Sequence, residues 1–204
     1  MLKRFATISF LLVFTFALSV MTASLEPMVV AAQRAAGVER TSVTAELTHD
    51  TVVFVTSWRA ATWTDEMERA YTDDEHTHLD DVRVVFRVVR WVFLFCISAL
   101  IVCCLRRRSR HAVQRWTRDV RHMLSIVTFL LVGVSVTAIW WFEPMFTAAH
   151  GLLFASGTWV FPSSSKLIQL FPQLFWQMWS IGLLVGTIAL MWLIQVFCPR
   201  REAM

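Results

Sequence analysis

Cysteine is missing from every polar segment of this sequence, because Cys96, Cys103, Cys104 and Cys198 all lie within apolar runs. A framework of loop disulfides is therefore excluded. The last three apolar runs contain no carboxylate and no broken-helix pattern, which argues against an ion-coupled transporter. No serine lies in a nucleophile-elbow motif, so the usual signature of an α/β-hydrolase is also absent.

Apolar residues are abundant and are clustered along the chain. They make up 56% of the 204 residues and give a mean hydropathy of +0.56. A soluble domain would scatter these residues, whereas long apolar runs are typical of membrane proteins. The net charge of +4 does not indicate a nucleic-acid partner, because the basic residues form short blocks beside the apolar runs, where they mark topology.

Four apolar runs predict an all-α integral membrane protein that forms a single membrane domain over residues 1–204. The spans are expected at about 5–23, 84–105, 123–142 and 174–197. Each is close to the roughly 20 residues that cross the hydrocarbon core. The first run is followed by small residues, as a cleavable signal peptide would be. We favour an uncleaved anchor over that alternative.

Charge predicts the orientation of these spans. Residues 106–122 contain seven arginines and one acid, so the positive-inside rule makes this connection cytoplasmic and places both termini on the same side. Residues 32–83 and 143–173 then form two extracytoplasmic loops, and the first carries eleven acids against five arginines. Its segment 48–63 is expected to lie along the membrane surface as an amphipathic element.

The stretch DDEHTHLDDV, residues 73–82, places titratable groups at the mouth of the second span. It reads as a helix start in which Asp73 or Asp74 is the cap. Glu75 and Asp81 are each three residues from His78, so both carboxylates are expected to reach its ring. A carboxylate beside a histidine orients the imidazole and raises its basicity, as a general base requires. The alternative is a solvated helix start without chemistry.

A second histidine lies in the other predicted extracytoplasmic loop. His150 is the one strongly ionisable side chain between Glu143 and Lys166, in a segment that is very apolar for a loop. A lone histidine in such surroundings is usually a structural residue. Because His150 is predicted to face the same compartment as His78, a two-histidine site is also possible.

Three arginines follow the histidine stretch. Arg83, Arg87 and Arg90 share one helix face by their spacing. They either snorkel toward the interface or line an outward-facing polar cavity, where they would hold a lipid head group or a carbonyl oxygen.

Two other chemistries remain open from the residues alone. His76, His78 and His150, with nearby acids, are able to supply the ligands of one zinc ion, as a metal-dependent membrane hydrolase would need. Ser156 and the serines at 163–165 share the predicted compartment with the histidines and are candidate nucleophiles. A protein of a different class, which binds lipid or lipoprotein without catalysis, fits the same features.

Two segments together resemble one bacterial family of four-span membrane proteins, the lipoprotein intramolecular transacylases. The family pattern has Glu-x-x-His-(Met/Leu)-x-Asp-Val at the mouth of the second helix, and an aromatic-rich element with one histidine before the fourth. The matching residues here are Glu75, His78, Asp81, Val82, Phe146, His150, Phe154, Trp159, Phe161, Leu167, Ile168 and Pro172. Ala149 and Leu153 depart from the pattern, as expected of a divergent branch.

The resemblance implies an acyltransferase of the bacterial cell membrane. Such enzymes move the sn-2 acyl chain of a diacylglyceryl lipoprotein to the α-amine of its N-terminal cysteine. The resemblance assigns catalysis to His78 as base and His150 as acid or oxyanion donor, although the reverse remains open. It implies no cofactor or metal, and its expected partners are the lipid bilayer and the lipoprotein substrate. The remaining roles expected are these: Glu75 and Asp81 support catalysis, and Arg83, Arg87, Phe154 and Trp159 bind substrate.

Overall fold

Helices account for all the regular secondary structure in the residues that the structure describes. The computed structural model describes residues 2–58, 61–106 and 140–197, with short pieces at 125–126, 128–129 and 132–133. Within these residues the all-α prediction is confirmed. The predicted third span and the predicted cytoplasmic loop fall largely outside them. The helices with defined bounds are α1 (Leu2–Ala23), α2 (Glu26–Ala35), α3 (Ser42–Thr56), α4 (Asp65–Ala70), α5 (Asp73–Arg106), α6 (Phe142–Leu153), α7 (Lys166–Leu170) and α8 (Gln173–Phe197).

Three long helices form a bundle with apolar outer faces. α1 packs against both α5 and α8, and the rings of Phe14 and Phe93 stack between α1 and α5 at 5.5 Å. Large apolar side chains on the outside of all three helices are exposed, among them Phe16, Phe95 and Val185. Apolar surface on this scale is unfavourable in water and suits a hydrocarbon environment.

One helix in the described residues, over Gln173–Leu193, is both long and apolar enough to cross a membrane. The segments Val13–Ala23 and Glu26–Ala35 meet the same criterion as a pair, with a bend of 73° between them. These helices agree with parts of the predicted topology. The count of four spans and the cytoplasmic position of both termini remain predictions.

The bend between α1 and α2 is packed into the structure. The buried Ser24 hydroxyl donates to the Val20 carbonyl at 2.7 Å, and the indole N–H of Trp179 in α8 donates to the Ala23 carbonyl at 3.0 Å. The small residues that resemble a cleavage site are therefore part of the helix packing, and the uncleaved anchor remains a prediction.

The residues between α1 and α5 pack together with a later part of the chain into a compact unit. We call this unit the cap and define it as α2, α3, α4 and α7 with the first turns of α5 and α8. Its core is apolar and continuous. α3 packs against α5 and buries one face, with Leu47, Phe54 and Val55, in this core. The expected position of segment 48–63 along the membrane surface remains a prediction. The fully or nearly buried core side chains include Leu47, Phe54, Met67, Leu170 and Phe175.

Local signals explain where the cap helices begin and end. The Thr41 hydroxyl and Thr44 form a reciprocal capping box at the start of α3. α2 ends at Ala35, and Gly37, just after the Ala36 cap, has a φ of +75°, the left-handed conformation that glycine adopts without a steric penalty. The amide of Val38 then bonds to the Gln33 carbonyl, and that of Gly37 to the Arg34 carbonyl, which is a Schellman ending.

The arginine face of α5 holds the end of α3. Arg90 is buried, donates to the carbonyls of Thr56 and Ser57, and lies over the Trp58 ring at 4.4 Å. Cations are favourable at this end of a helix, where unpaired carbonyls and the negative end of the dipole lie.

Arg83, seven residues earlier on the same face of α5, donates to the Ala61 carbonyl at 3.0 Å and lies over Phe54 at 4.7 Å. Through these contacts Arg83 and Arg90 hold α3 against α5. The substrate contacts expected of Arg83 and of the exposed Arg87 remain predictions.

Candidate active site

Glu75 joins the start of α5 to the start of α7. Its side chain is 1% exposed. One carboxylate oxygen, Oε1, accepts from the Ser165 hydroxyl at 2.6 Å and from the Leu167 amide at 2.8 Å. The other, Oε2, accepts from the Thr72 amide at 2.8 Å and the Thr72 hydroxyl at 3.0 Å. Two segments about ninety residues apart in sequence are therefore held together by one carboxylate.

The same contacts define both helix starts. Thr72 and Glu75 form the Thr-x-x-Glu capping box of α5, so the cap is Thr72 rather than Asp73 or Asp74. Ser165 is the N-cap of α7. Burial would raise the pKa of Glu75, but the hydrogen bonds from Ser165, Thr72 and Leu167 outweigh burial and lower this pKa below its usual value. Glu75 is thus held as a carboxylate.

His78 lies one turn further along α5, inside an aromatic cluster. Its ring centroid is 4.8 Å from that of Phe154 and 5.5 Å from that of Phe161. Burial, together with the nearby His150 and against the opposing charge of Asp81, lowers the pKa of His78 to about 4. His78 is therefore neutral at physiological pH.

His150 faces His78 from the last turn of α6. The two imidazole centroids are 6.4 Å apart with their planes inclined at 25°. His150 Nδ1 lies 2.9 Å from the carbonyl oxygen of Phe146, one turn earlier in the helix. Since a carbonyl only accepts, Nδ1 carries the proton and Nε2 keeps a free lone pair. Burial lowers the pKa of His150, and the hydrogen bond to Phe146 opposes this, so the ring is also biased toward its neutral form.

The segment after α6 covers the two histidines with aromatic rings. Phe154 lies against both imidazoles, and the Trp159 ring centroid is 5.0 Å from that of His150. The described part of the chain offers no hydrogen-bond partner to two buried nitrogens here, His78 Nδ1 and Trp159 Nε1. The site therefore combines a neutral histidine pair, an apolar lining and unused polar atoms, which suits acid–base chemistry on a lipid.

A family profile described as "Lipoprotein intramolecular transacylase Lit" matches residues 4–176. The chain belongs to this family. The resemblance seen in the two sequence motifs is thereby confirmed over most of the chain, and the transacylase assignment with it. No curated protein sequence gave a match.

Solved structures of a transacylase from Bacillus cereus have the same fold. An in meso structure of that membrane-integral lipoprotein intramolecular transacylase aligns with a TM-score of 0.70 at 14% identity, covering 96% of this chain and 92% of that one. A variant of the same protein with a histidine-to-arginine substitution aligns with a TM-score of 0.65 at 13% identity, covering 96% and 89%. The low identity fits a divergent member of the transacylase family with a membrane-integral fold.

The predicted site residues of this transacylase fall into two groups. His78, His150, Phe154 and Trp159 come together as one cluster. Glu75 lies beside the cluster, but its oxygens bind Thr72, Ser165 and Leu167 rather than His78, so the expected contact of Glu75 with the imidazole is not formed. Asp81 is partly buried and acts on His78 through its charge.

The other residues that suggested a zinc site or a serine nucleophile are not gathered in the histidine cluster. His76 turns away from the cluster of His78 and His150, with its ring 4.3 Å from that of Trp63 and its Nε2 near the Met67 carbonyl. Within the described ranges no three metal-binding side chains come together. Ser156 is exposed, and Ser165 donates to Glu75.

Thr72 and Ser165 are the supporting residues that sequence reasoning missed. The signal for Thr72 was present, because Thr72-x-x-Glu75 is a capping-box pattern. Ser165 precedes an apolar run and is a preferred N-cap residue. Their meeting through Glu75 is a long-range contact with no local sequence signal.

Proposed function

We propose that this protein transfers the sn-2 acyl chain of a diacylglyceryl lipoprotein to the α-amine of the lipoprotein's N-terminal cysteine. The observation that carries the proposal is a pair of neutral imidazoles, the buried His78 and the partly buried His150, 6.4 Å apart between ring centroids in an apolar lining beside the predicted membrane surface. Membership of the transacylase family supports the reaction class.

The reaction needs one base and one proton donor. The α-amine attacks the ester carbonyl, the N–C bond forms and the amine loses a proton. The acyl C–O bond then breaks, and the departing glycerol oxygen takes up a proton. Amine and ester belong to one molecule, so proximity supplies much of the rate and the protein has to orient the two groups and move the proton.

We assign the base to His150, which in its protonated form is also the proton donor to the departing glycerol oxygen. His78 is assigned as the hydrogen-bond donor to the carbonyl oxygen. The hydrogen bond from His150 Nδ1 to the Phe146 carbonyl leaves Nε2 as the acceptor for the amine proton. His78, with a pKa of about 4, is a weak base, but as a neutral imidazole it retains an N–H that is able to polarise the carbonyl. This reverses the assignment that the sequence alone favoured.

The site is proposed to face outward from the cell membrane. The sequence predicts four spans with both termini cytoplasmic, and this topology supports a cap and two histidines on the extracytoplasmic side, where a lipoprotein presents its N-terminus. Leu152, Leu153 and Val160 are exposed beside the cluster, as residues that contact acyl chains would be.

Expression in a bacterial host that makes only diacyl lipoproteins tests the proposal. Mass spectrometry of N-terminal lipopeptides is expected to show an acyl chain moved onto the cysteine nitrogen, with an unchanged total mass. Unmodified lipopeptides, with the protein present in the membrane, would indicate instead a lipid- or lipoprotein-binding protein. Loss of conversion in the presence of a chelator would favour a metal-dependent enzyme.

The pH dependence of conversion is expected to follow the substrate rather than the enzyme. An α-amine titrates near 8 and an unperturbed histidine near 6.5. Because the pKa of His78 is lowered to about 4 and that of His150 is also lowered, neither ring is expected to give an inflection at 6.5. Initial rates of the purified protein in lipid nanodiscs should rise tenfold per pH unit up to about 8 and then level off. A second inflection near 6.5, with a steeper slope below it, would contradict the lowered pKa values.

A further inference from the structure

A tight turn carries Trp159 back onto the catalytic histidine pair. The Thr158 amide bonds to the Ala155 carbonyl at 3.3 Å, and the Thr158 hydroxyl bonds to the same oxygen at 2.9 Å. Gly157, the third residue of this turn, has a φ of +87°, which glycine adopts without strain. The turn sets the Trp159 ring at 5.0 Å from His150 and thus fixes the position of its indole N–H.

The indole N–H of Trp159 is buried and has no hydrogen-bond partner in the described part of the chain. Burying a donor without an acceptor is unfavourable, and most buried indoles are paired. The indole of Trp179, for example, donates to the Ala23 carbonyl. If Trp159 merely packed against an acyl chain, a ring without a donor would do this with no unpaired group.

We propose that Trp159 donates its indole N–H to the carbonyl oxygen of the acyl ester and stabilises the oxyanion that forms there during transfer. The inference rests on the proposed function. When the amine nitrogen bonds to the carbonyl carbon, the π electron pair moves to the oxygen, and the indole N–H meets the new charge. When the C–O bond to glycerol breaks, the carbonyl re-forms and the interaction weakens. A donor matched to the oxyanion accelerates the reaction more than it strengthens substrate binding.

The test is Trp159→Phe in the full-length protein, assayed with a diacyl lipopeptide in nanodiscs. We expect kcat to fall by about 10²- to 10³-fold with little change in KM, as for loss of one oxyanion donor elsewhere. The thermal unfolding midpoint should stay the same or rise, because the variant removes an unpaired buried donor. A second variant replaces Trp159 by 3-benzothienylalanine, which has the shape of tryptophan but carries sulfur in place of the indole N–H. It should lower kcat as much as the phenylalanine variant does. Because the ring keeps its size, this loss cannot come from a packing defect.

Trp179→Phe is the matched control. It removes an indole N–H that is already paired within the bundle, so it should lower the unfolding midpoint while kcat stays near the wild-type value. A benzothienylalanine variant at 159 with wild-type kcat would overturn the role of Trp159 and leave the proposed function intact. Absence of conversion by the wild-type protein would overturn the proposed function, and this inference with it.

Discussion

Substitution of His150 by alanine is expected to slow acyl transfer by about 10²- to 10⁴-fold, the usual contribution of a positioned general base. The reason is geometric. The hydrogen bond from Nδ1 to the Phe146 carbonyl leaves Nε2 as the one ring atom that is able to take the amine proton. The measurement is the fraction of N-acylated lipopeptide formed in membranes, with protein amounts matched by immunoblot.

His78→Ala should also be severely impaired, and asparagine variants separate the two roles. An asparagine amide donates a hydrogen bond but cannot accept a proton near neutral pH. His78→Asn is therefore expected to recover part of the activity lost in His78→Ala, whereas His150→Asn should be as inactive as His150→Ala. Recovery at position 150 and not at 78 would show that the assignment of base and donor must be exchanged.

His49→Ala is the control for loss of a histidine elsewhere in the cap. His49 pairs with Glu26 at 2.8 Å across α2 and α3, with its side chain about half exposed, and it takes no part in the histidine cluster. An exposed pair of this kind contributes little to stability. Conversion by His49→Ala should match that of the wild-type protein, and a comparable loss would mean that the effects at 78 and 150 are not specific to the site.

The helix start at residues 73–82 shows what sequence reasoning is able to reach. Its helical spacing predicted that Glu75 and His78 lie one turn apart, and α5 begins at Asp73 as this requires. Helical spacing shows which side chains are close enough to interact, but not which of the possible contacts forms. Glu75 is the third residue after a threonine cap, so one of its oxygens is directed back to Thr72 rather than forward to His78.

Segment 32–83 shows where sequence reasoning stopped. The amphipathic pattern of α3 was visible, but the same pattern fits a helix on a membrane and a helix on a protein core. The packing of α3 depends on apolar partners that lie far away in sequence, such as Leu170. It also depends on Arg83 and Arg90 of α5, which donate to carbonyls at and beyond the end of α3. Neither a periodicity nor a short motif contains that information.

Glu75→Gln is expected to impair both stability and activity, although glutamine has nearly the same shape. One carboxylate oxygen accepts the Leu167 N–H and the other accepts the Thr72 N–H. Whichever way the amide of glutamine is turned, its NH₂ group faces one of these backbone donors, which cannot reverse its role. Leaving a buried donor unpaired costs about 1–3 kcal/mol.

Glu75→Gln is expected to lower activity because it changes the position of the aromatic segment over the histidines. The carboxylate fixes the start of α7, and the segment between α6 and α7 carries Trp159 and Phe161 over the histidines. A shift of this segment by about 1 Å is enough to lower kcat by about 10²-fold. Thermal unfolding, limited proteolysis within residues 154–165 and kcat should therefore all change together in the variant.

Three further variants distinguish a positioning role for Glu75 from a proton relay to His78. Ser165→Ala removes one of four hydrogen bonds to the carboxylate and should have a mild effect in the same direction. Asp80→Asn, a loss of charge at an exposed position of the same stretch, should have none. Asp81→Asn removes the charge that raises the pKa of His78, so it should lower that pKa further.

If Glu75 is a positioning residue, the pH profile of the residual activity in Glu75→Gln keeps its rise toward 8, since the lowered rate still depends on the substrate amine. A displaced profile in that variant, with stability unchanged, would instead make Glu75 part of the proton path.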